Sequence, residues 1–268
     1  IGLGQLTKKS IVELTSAVLD DVAVEAELEQ LILRKCAGNP LFVEEFIHTL
    51  LENDYIKRKN NQFILTRGSD SMKIPDTIHG IVAARIDNLD GLLKQIIQAA
   101  SVIGNDFGYR ILQTITGMGE ELKSYLDKLQ SLEFIYEREL FPELEYTFRH
   151  ALIQEVAYSS LLLKRRIDLH ARIGLAAEFL YADKLDEFYE ILAYQFSLGE
   201  DYPKAYKYLK LSGEKAEEYF SHLPAFHFFE KALKTIDKLP EADGGDVEKL
   251  EICKMMTRPM SMLGFPKG

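Results

Sequence analysis

The sequence predicts a mainly α-helical chain that carries small β-hairpins and ends in a helical array. Three observations support this fold class. Apolar residues recur at helical spacing through most of the 268 residues. Two short stretches, around 56–65 and 134–148, hold apolar runs separated by turn residues, as hairpins do. From Tyr206 onward, small and large apolar residues follow the spacing of packed helix pairs.

Composition and charge exclude several classes of function. The formal net charge is −10 and no basic block is present, which argues against surfaces for nucleic acid or anionic lipid. No apolar run has the length that a membrane span requires. We therefore expect a cytoplasmic protein with no nucleic-acid or membrane partner. Cys36 and Cys253 lie far apart in helical contexts, so we expect two buried, reduced thiols.

Residues 1–53 are predicted to form helices that meet at a tight corner. Gly38 suits the left-handed residue that closes one helix, and Pro40 suits the first turn of the next. Phe42 and Phe46 then follow at helical spacing and mark an apolar face. Two interpretations stay open. The corner is a packing feature only, or Pro40 presents a flat apolar surface to an adenine ring.

Residues 54–73 read as a hairpin followed by a linker. Asn60 and Asn61 supply the turn between two apolar runs. The stretch from Arg67 to Lys73 is polar and contains glycine and serine, which predicts a connection rather than a regular element. The next helical pattern starts directly after this connection, so the hairpin stands between two helical regions.

Residues 74–150 are predicted to form a winged-helix-like domain. Helical patterns are followed by two candidate strands, Phe134–Arg138 and Glu145–Phe148, joined by a turn at Phe141-Pro142. A winged helix has this element order, in which helices are followed by a β-ribbon. The helix before the ribbon carries more acidic than basic residues, and such a helix would repel phosphate. We therefore predict a packing module rather than a DNA-reading one.

Residues 151–268 are predicted to form a truncated α-solenoid of tetratricopeptide-like repeats. One 34-residue unit fits the stretch from Tyr206 to Leu239. The stretch Glu187–Gly199, together with Tyr202-Pro203-Lys204-Ala205, resembles a preceding unit of the same repeat. Because such arrays normally need several units, we expect the array to continue. In the first helix of the 34-residue unit, Gly213 takes the small position. In the second helix, Ala225 and Ala232 take small positions and Phe229 takes the large position between them.

Three ordered motifs resemble a family of signalling proteins. They are residues 38–45 (GNPLFVEE), residues 74–89 (IPDTI followed by ARIDNL) and residues 148–158 (FRHALIQEVAY). These motifs are similar to segments of bacterial STAND ATPases, which are signal-transduction ATPases related to AAA+ and NB-ARC proteins. The likeness runs through nearly the whole chain. Similar segments occur in LuxR-type regulators and in regulators fused to class III nucleotide cyclases. The likeness implies that residues 1–53 are a fragment of the helical lid of the ATPase.

The resemblance also implies a nucleotide site to which this chain contributes. In such proteins a lid proline packs near adenine, which would be Pro40 here, beside Gly38. A histidine near the end of the winged helix reaches the β-phosphate of ADP, and His150, next to Arg149, matches that position. The aspartate that follows this histidine in the relatives is Ala151 here. The residue types alone also fit a capping or core histidine at a helix start.

The function that the resemblance implies is regulation rather than catalysis. The sequence holds no G-x-x-x-x-G-K-[ST] phosphate cradle and no initiator Met, so we expect a non-enzymatic part of a longer protein. ATP or ADP would bind only in that full-length parent, and the partners would be its upstream P-loop domain and a protein or small-molecule signal. No metal site is expected, because His222 and His227 lack further ligands at suitable spacing. The alternative is a stand-alone scaffold for a partner protein with no nucleotide role.

Overall fold

The structure, a computed structural model, is mainly α-helical with small three-stranded sheets, which confirms the predicted fold class. The chain separates into two compact units, Ile1–Lys94 and Gln95–Gly268, and each is described by itself. The predicted turn at Phe141-Pro142 and residues 69–71 of the predicted linker lie outside the described residues. The residues that the structure describes are 5–68, 72, 74–140, 143–239 and 245–264, with the side chains of 139 and 140 left aside.

The first unit packs its helices and one small sheet against a shared apolar core. Its core is formed by the apolar faces of the first three helices together with residues of the hairpin and the fourth helix. The third helix lies at the centre of this core, where its fully buried side chains include Val43, Phe46, Ile47 and Leu50. The elements in chain order are α1 (Lys8–Val18), β1 (Ala23–Val24), α2 (Ala26–Cys36), α3 (Pro40–Glu52), β2 (Ile56–Lys59), β3 (Gln62–Leu65) and α4 (Ile78–Asp87).

The predicted hairpin is confirmed and gains a third strand. Strands β2 and β3 pair antiparallel, and the turn residues Asn60 and Asn61 both have positive φ, at 50° and 61°. Two such residues form the turn that matches the twist of paired strands. Strand β1 adds to β3 in parallel, with Ala23 opposite Gln62. Its two residues are too few to show an alternating pattern, so the sequence did not indicate this strand.

The second unit begins with helices and a second three-stranded sheet, and the predicted winged-helix assignment of residues 74–150 stays a prediction. Its sheet is antiparallel with strand order β4–β6–β5, so the ribbon predicted from the sequence is extended by a short first strand. The rings of Phe107, Tyr146 and Phe148 pack together beneath this sheet, with centroid distances of 5.8 and 5.5 Å from Phe107. The elements are α5 (Gly91–Ile103), β4 (Asp106–Gly108), α6 (Tyr109–Thr116), α7 (Glu121–Ser131), β5 (Ile135–Leu140) and β6 (Glu143–Phe148).

The rest of the second unit is helical, and helices α9 to α13 each pack against the next in chain order. A 3-10 segment, Ala182–Phe188, separates α9 from α10. Among the described residues, no helix combines the length and the apolar content needed to cross a bilayer. The helices are α8 (Ala151–Ser159), α9 (Leu163–Leu180), α10 (Tyr189–Leu198), α11 (Tyr202–Glu218), α12 (His222–Ile236) and α13 (Gly245–Met262).

The pair α11–α12 follows the predicted small-and-large design. A side chain added at Gly213 would place its Cβ 2.6 Å from Cδ1 of Phe229, so the ring occupies the space that glycine leaves. Phe229 is 1% exposed, and Ala225 and Ala232 are fully buried. Small residues therefore let the two helices approach and the phenylalanine fills the groove between them.

The pair α9–α10 uses the same contact, which sequence analysis missed. A Cβ at Gly174 would lie 2.7 Å from Cε1 of Phe196, and one at Gly199 would lie 2.8 Å from Cα of Ala171. The sequence-based interpretation joined 187–199 to the residues after Tyr202. Helix α10 does contact α11, but its glycine–phenylalanine contact is with α9.

The two cysteines differ in their surroundings. Cys36 is fully buried at the end of α2, and burial raises the pKa of its thiol to about 12. Cys253 is exposed on α13. Both thiols are free, but the expectation that both are buried is wrong for Cys253, because it lies off the buried stripe that Ile252 and Met256 form on that helix.

Candidate functional site

Gly38 is held in a left-handed conformation at the corner between α2 and α3. Its φ is +82°, as predicted for a residue that closes a helix. A Cβ at this position would lie 2.8 Å from Cβ of Gln5 and 3.1 Å from the carbonyl oxygen of Leu6. The N–H of Leu6 also donates to the carbonyl oxygen of Gly38 at 2.8 Å. Backbone angle and close packing therefore both require glycine here.

Pro40 is the first residue of α3, which confirms its predicted place in the first turn. The side chain of Asn39 caps the helix by accepting from the N–H of Phe42 at 3.3 Å. Pro40 itself is exposed, so its ring contributes to the surface of the first unit. The contact between this ring and adenine stays a prediction.

A buried ion cluster joins the first two motifs. Arg85 on α4 is 2% exposed and pairs with Glu45 on α3, which is 1% exposed. Nε and Nη2 of Arg85 also donate to Oε1 of Glu52 at 2.9 and 2.6 Å. Burial lowers the pKa of Arg85, but the hydrogen bonds and charges of Glu52 and Glu45 outweigh it and raise that pKa. Removing one member of such a buried cluster typically costs about 3–5 kcal/mol.

Glu45 and Arg85 belong to the sequence motifs, but their ion pair was not predicted from the sequence. The signal that was available is a charged residue on an otherwise apolar helical face. Arg85 follows Ile81 and Val82 at the inward spacing of α4, and all three are buried. A charge at such a position needs a partner, but the sequence does not say which acidic residue supplies it.

Arg149 and His150 lie where β6 passes into α8. The N–H of Arg149 donates to the carbonyl oxygen of Phe134 at 3.0 Å, and its Nη2 lies 3.5 Å from Oε2 of Glu133. His150 is the residue before α8, and its carbonyl oxygen accepts from the N–H of Ile153 at 2.9 Å. Its side chain makes no capping hydrogen bond and is partly exposed. The backbone of the joint between β6 and α8 therefore fixes the position of this residue.

The four predicted site residues fall into two pairs. Gly38 and Pro40 belong to the first unit, at the start of α3. Arg149 and His150 belong to the second unit, at the start of α8. The structure thus gives the local geometry of each pair, and their shared contact with a nucleotide stays a prediction.

A buried polar network anchors the third motif, and sequence analysis did not find it. His170 on α9 is 1% exposed, with Nδ1 2.7 Å from Oε1 of Gln195 and Nε2 3.1 Å from Oη of Tyr158. Burial lowers the pKa of His170. Nε2 of Gln154 donates to the carbonyl oxygen of Ser101 at 2.6 Å. Tyr158 and Gln154 both belong to α8, so the motif fixes this helix against α5, α9 and α10.

Comparison with known proteins gives relatives of unknown function. Residues 12–62 match a domain of unknown function, DUF8739, a stretch that includes Gly38, Pro40 and Glu45 but not Arg85. An uncharacterized protein of Rhizobium meliloti (strain 1021) is 25% identical over 227 residues. That alignment covers 81% of this chain and 21% of the relative, so the chain spans about a fifth of the length of the curated relative it matches.

Proposed function

We propose that this chain is the regulatory and signal-sensing part of a STAND ATPase. It conveys nucleotide state between a P-loop domain elsewhere in the same protein and the helices α9–α13, which receive a protein or small-molecule signal. The observation that carries the proposal is the position of His150, a partly exposed imidazole where the wing ends and the helical array begins. A group at that joint can contact a ligand held by another domain and respond to movement of either element.

Two further features support the proposal. The elements occur in the order that the resemblance implies, with helices around an exposed corner proline, then a winged helix, then packed helix pairs. The relative from Rhizobium meliloti is several times longer than the stretch it shares with this chain. In this proposal the chain is not itself an enzyme, ATP or ADP binds in the longer protein, and the location is cytoplasmic.

The proposed contact has a suitable strength for a switch. A hydrogen bond to a charged phosphate contributes about 1.5–3 kcal/mol. That free energy shifts an equilibrium between two conformations by roughly 10- to 150-fold. Such a shift favours the ADP-bound state and still permits release when ATP replaces ADP.

The test replaces His150 by alanine in the full-length protein of the native gene. We expect the dissociation constant for ADP to rise about tenfold or more, because the phosphate loses a charged hydrogen bond. His227→Ala is the matched control, since His227 is exposed on α12, away from the wing. Equilibrium binding of fluorescent ADP measures both variants. Equal ADP affinity in His150→Ala and the wild type would contradict the proposal.

A stand-alone scaffold for a partner protein is the second candidate. Tyr219 and Phe220, at the turn between α11 and α12, are 73% and 71% exposed, and exposed aromatic residues favour protein contacts. The native coding sequence separates the two candidates. A P-loop motif upstream supports the ATPase proposal, and a start codon close to Ile1 supports the scaffold.

A further inference from the structure

The second unit contains a cavity of about 380 Å³ between the winged-helix sheet and helices α9 and α10. Its volume lies in the range of small-molecule sites, which are about 300–1,000 Å³. Part of its lining is an apolar wall, whose described residues include Ile103, Ile111, Ile173 and Ala177. The other lining residues include carboxylates and aromatic rings, so the lining is chemically mixed.

Carboxylates dominate the charge of this cavity. Asp106, Glu145 and Glu190 line it, and among the described residues no lysine or arginine does. Asp106 accepts a hydrogen bond from Thr147 at 2.6 Å and lies 3.5 Å from Nη1 of Arg138. Glu145 and Glu190 have no ion-pair partner in the part of the chain that the structure describes. Arg138 therefore compensates the charge of Asp106, and the charges of Glu145 and Glu190 remain for a ligand.

Aromatic rings supply the second feature that a cation requires. Tyr181 and Phe188 stack with their centroids 4.1 Å apart, and both line the cavity together with Tyr194. The ammonium of Lys184, which is not a lining residue, already lies 5.6 Å from the ring of Tyr181 and 5.7 Å from that of Phe188. Burial and then Glu143, whose carboxylate accepts from the Tyr181 hydroxyl, raise the pKa of Tyr181 to about 12. Ring faces in such a negative environment attract cations.

A buried amide in the wall has unused hydrogen-bonding capacity. Gln195 is 2% exposed and lines the cavity. One atom of its amide group is bonded to Nδ1 of His170 at 2.7 Å. The other amide atom has no partner among the described residues. The amide group of Gln195 therefore has one hydrogen-bonding atom left to offer at the cavity wall.

We propose that this cavity binds a small organic cation, an amine or guanidinium on an apolar body. The cationic group pairs with the carboxylates of Glu145 and Glu190, the body packs against Tyr194 and the apolar wall, and the amide of Gln195 orients it. The proposal does not depend on the proposed function, because it concerns binding to this chain alone.

A set of isosteric probes tests the role of charge. Isothermal titration calorimetry of the full chain is carried out with phenethylamine, with its neutral analogue 2-phenylethanol and with the anion phenylacetate. We expect saturable binding of one phenethylammonium per chain and none of the other two, because only the cation meets the carboxylates. Equal affinity for 2-phenylethanol overturns the proposal, and so does the absence of saturation by phenethylamine.

Conservative variants locate the site. Glu145→Gln combined with Glu190→Gln keeps the shape of the wall and removes two charges, so we expect the dissociation constant to rise about tenfold or more. Glu155→Gln, an exposed position on α8 outside the cavity, is the matched control and should bind as the wild type does. Glu190→Gln alone, on the exposed side of α10, repeats the test with the least risk to folding. Equal affinities in the double variant and the control overturn the assignment.

Discussion

The helix pairs α9–α10 and α11–α12 share one packing device but differ in what they enclose. Each pair seats a phenylalanine of its second helix against a glycine of its first, Phe196 on Gly174 and Phe229 on Gly213. In α11–α12 the buried residues are mainly apolar, and the hydroxyl of Ser212 bonds to the backbone of its own helix. In α9–α10 the interior holds the imidazole of His170 and its polar partners.

The two pairs also differ in the connection between their helices. The pair α11–α12 is joined by a short turn, whereas the seven-residue segment Ala182–Phe188 lies between α9 and α10. That segment ends with Phe188, which stacks on Tyr181 in the wall of the acidic cavity. The longer connection thus places two stacked rings at a cavity while the central glycine–phenylalanine contact is kept.

The largest effect is expected from removing the phenylalanines. Phe196→Ala and Phe229→Ala should each lower the free energy of unfolding by about 3–5 kcal/mol, because each leaves a cavity in a buried groove. Urea denaturation followed by circular dichroism measures the loss. Phe179→Ala is the control, since Phe179 is 80% exposed on α9. If one variant loses less than about 1 kcal/mol of unfolding free energy, the glycine–phenylalanine contact of that helix pair differs from the contact of the other pair.

A smaller loss is expected from filling the glycine positions. Gly174→Ala and Gly213→Ala should each destabilise by about 1–3 kcal/mol, because the added methyl group meets a ring that is packed on all sides. Alanine is about 1 kcal/mol better than glycine within helices, so a gain in stability would argue against close packing. Gly91→Ala serves as the control, because nothing lies within 4 Å of a Cβ added at the start of α5.

The smallest effect, and one confined to α9–α10, is a dependence on pH. Burial lowers the pKa of His170, so the folded state keeps the imidazole neutral while the unfolded chain takes up a proton at about pH 6.5. The stability that the neutral imidazole contributes is therefore present above about pH 6.5 and is lost as the pH falls from there toward the lower pKa of folded His170. Hydrogen exchange of α9–α10 peptides, corrected for intrinsic rates, should show the loss. His170→Asn should abolish the pH dependence of α9–α10. An equal loss of stability in α11–α12 would contradict the assignment of this pH dependence to His170.

The sequence was most informative where a feature depends on nearby residues. Residues close in the chain determine the hairpin turn at Asn60-Asn61, the left-handed conformation of Gly38 and the place of Pro40 in the first turn of α3. A known repeat spacing predicts the contact between Gly213 and Phe229. The pair α9–α10 escaped detection because the inserted segment shifts Phe196 away from the expected spacing. The short strands β1 and β4 hold two and three residues, too few for a recognisable alternation.

The site was less accessible to sequence analysis than the fold. The ion pair of Glu45 with Arg85 and the bond of His170 to Gln195 join residues far apart in the chain, and no local pattern selects such partners. The acidic cavity draws its carboxylates from β4, β6 and α10, so only the tertiary structure brings them together. Whether His150 contacts nucleotide stays a prediction, because that contact requires a bound molecule.

The unequal exposure of the two thiols has a practical consequence. Thiol reagents react with the thiolate form, and the buried Cys36, with its pKa raised to about 12, holds almost none near neutral pH. Cys253 stands exposed on α13. Within these 268 residues a maleimide dye will therefore attach to α13 alone, which offers an attachment point for fluorescence without any engineered residue.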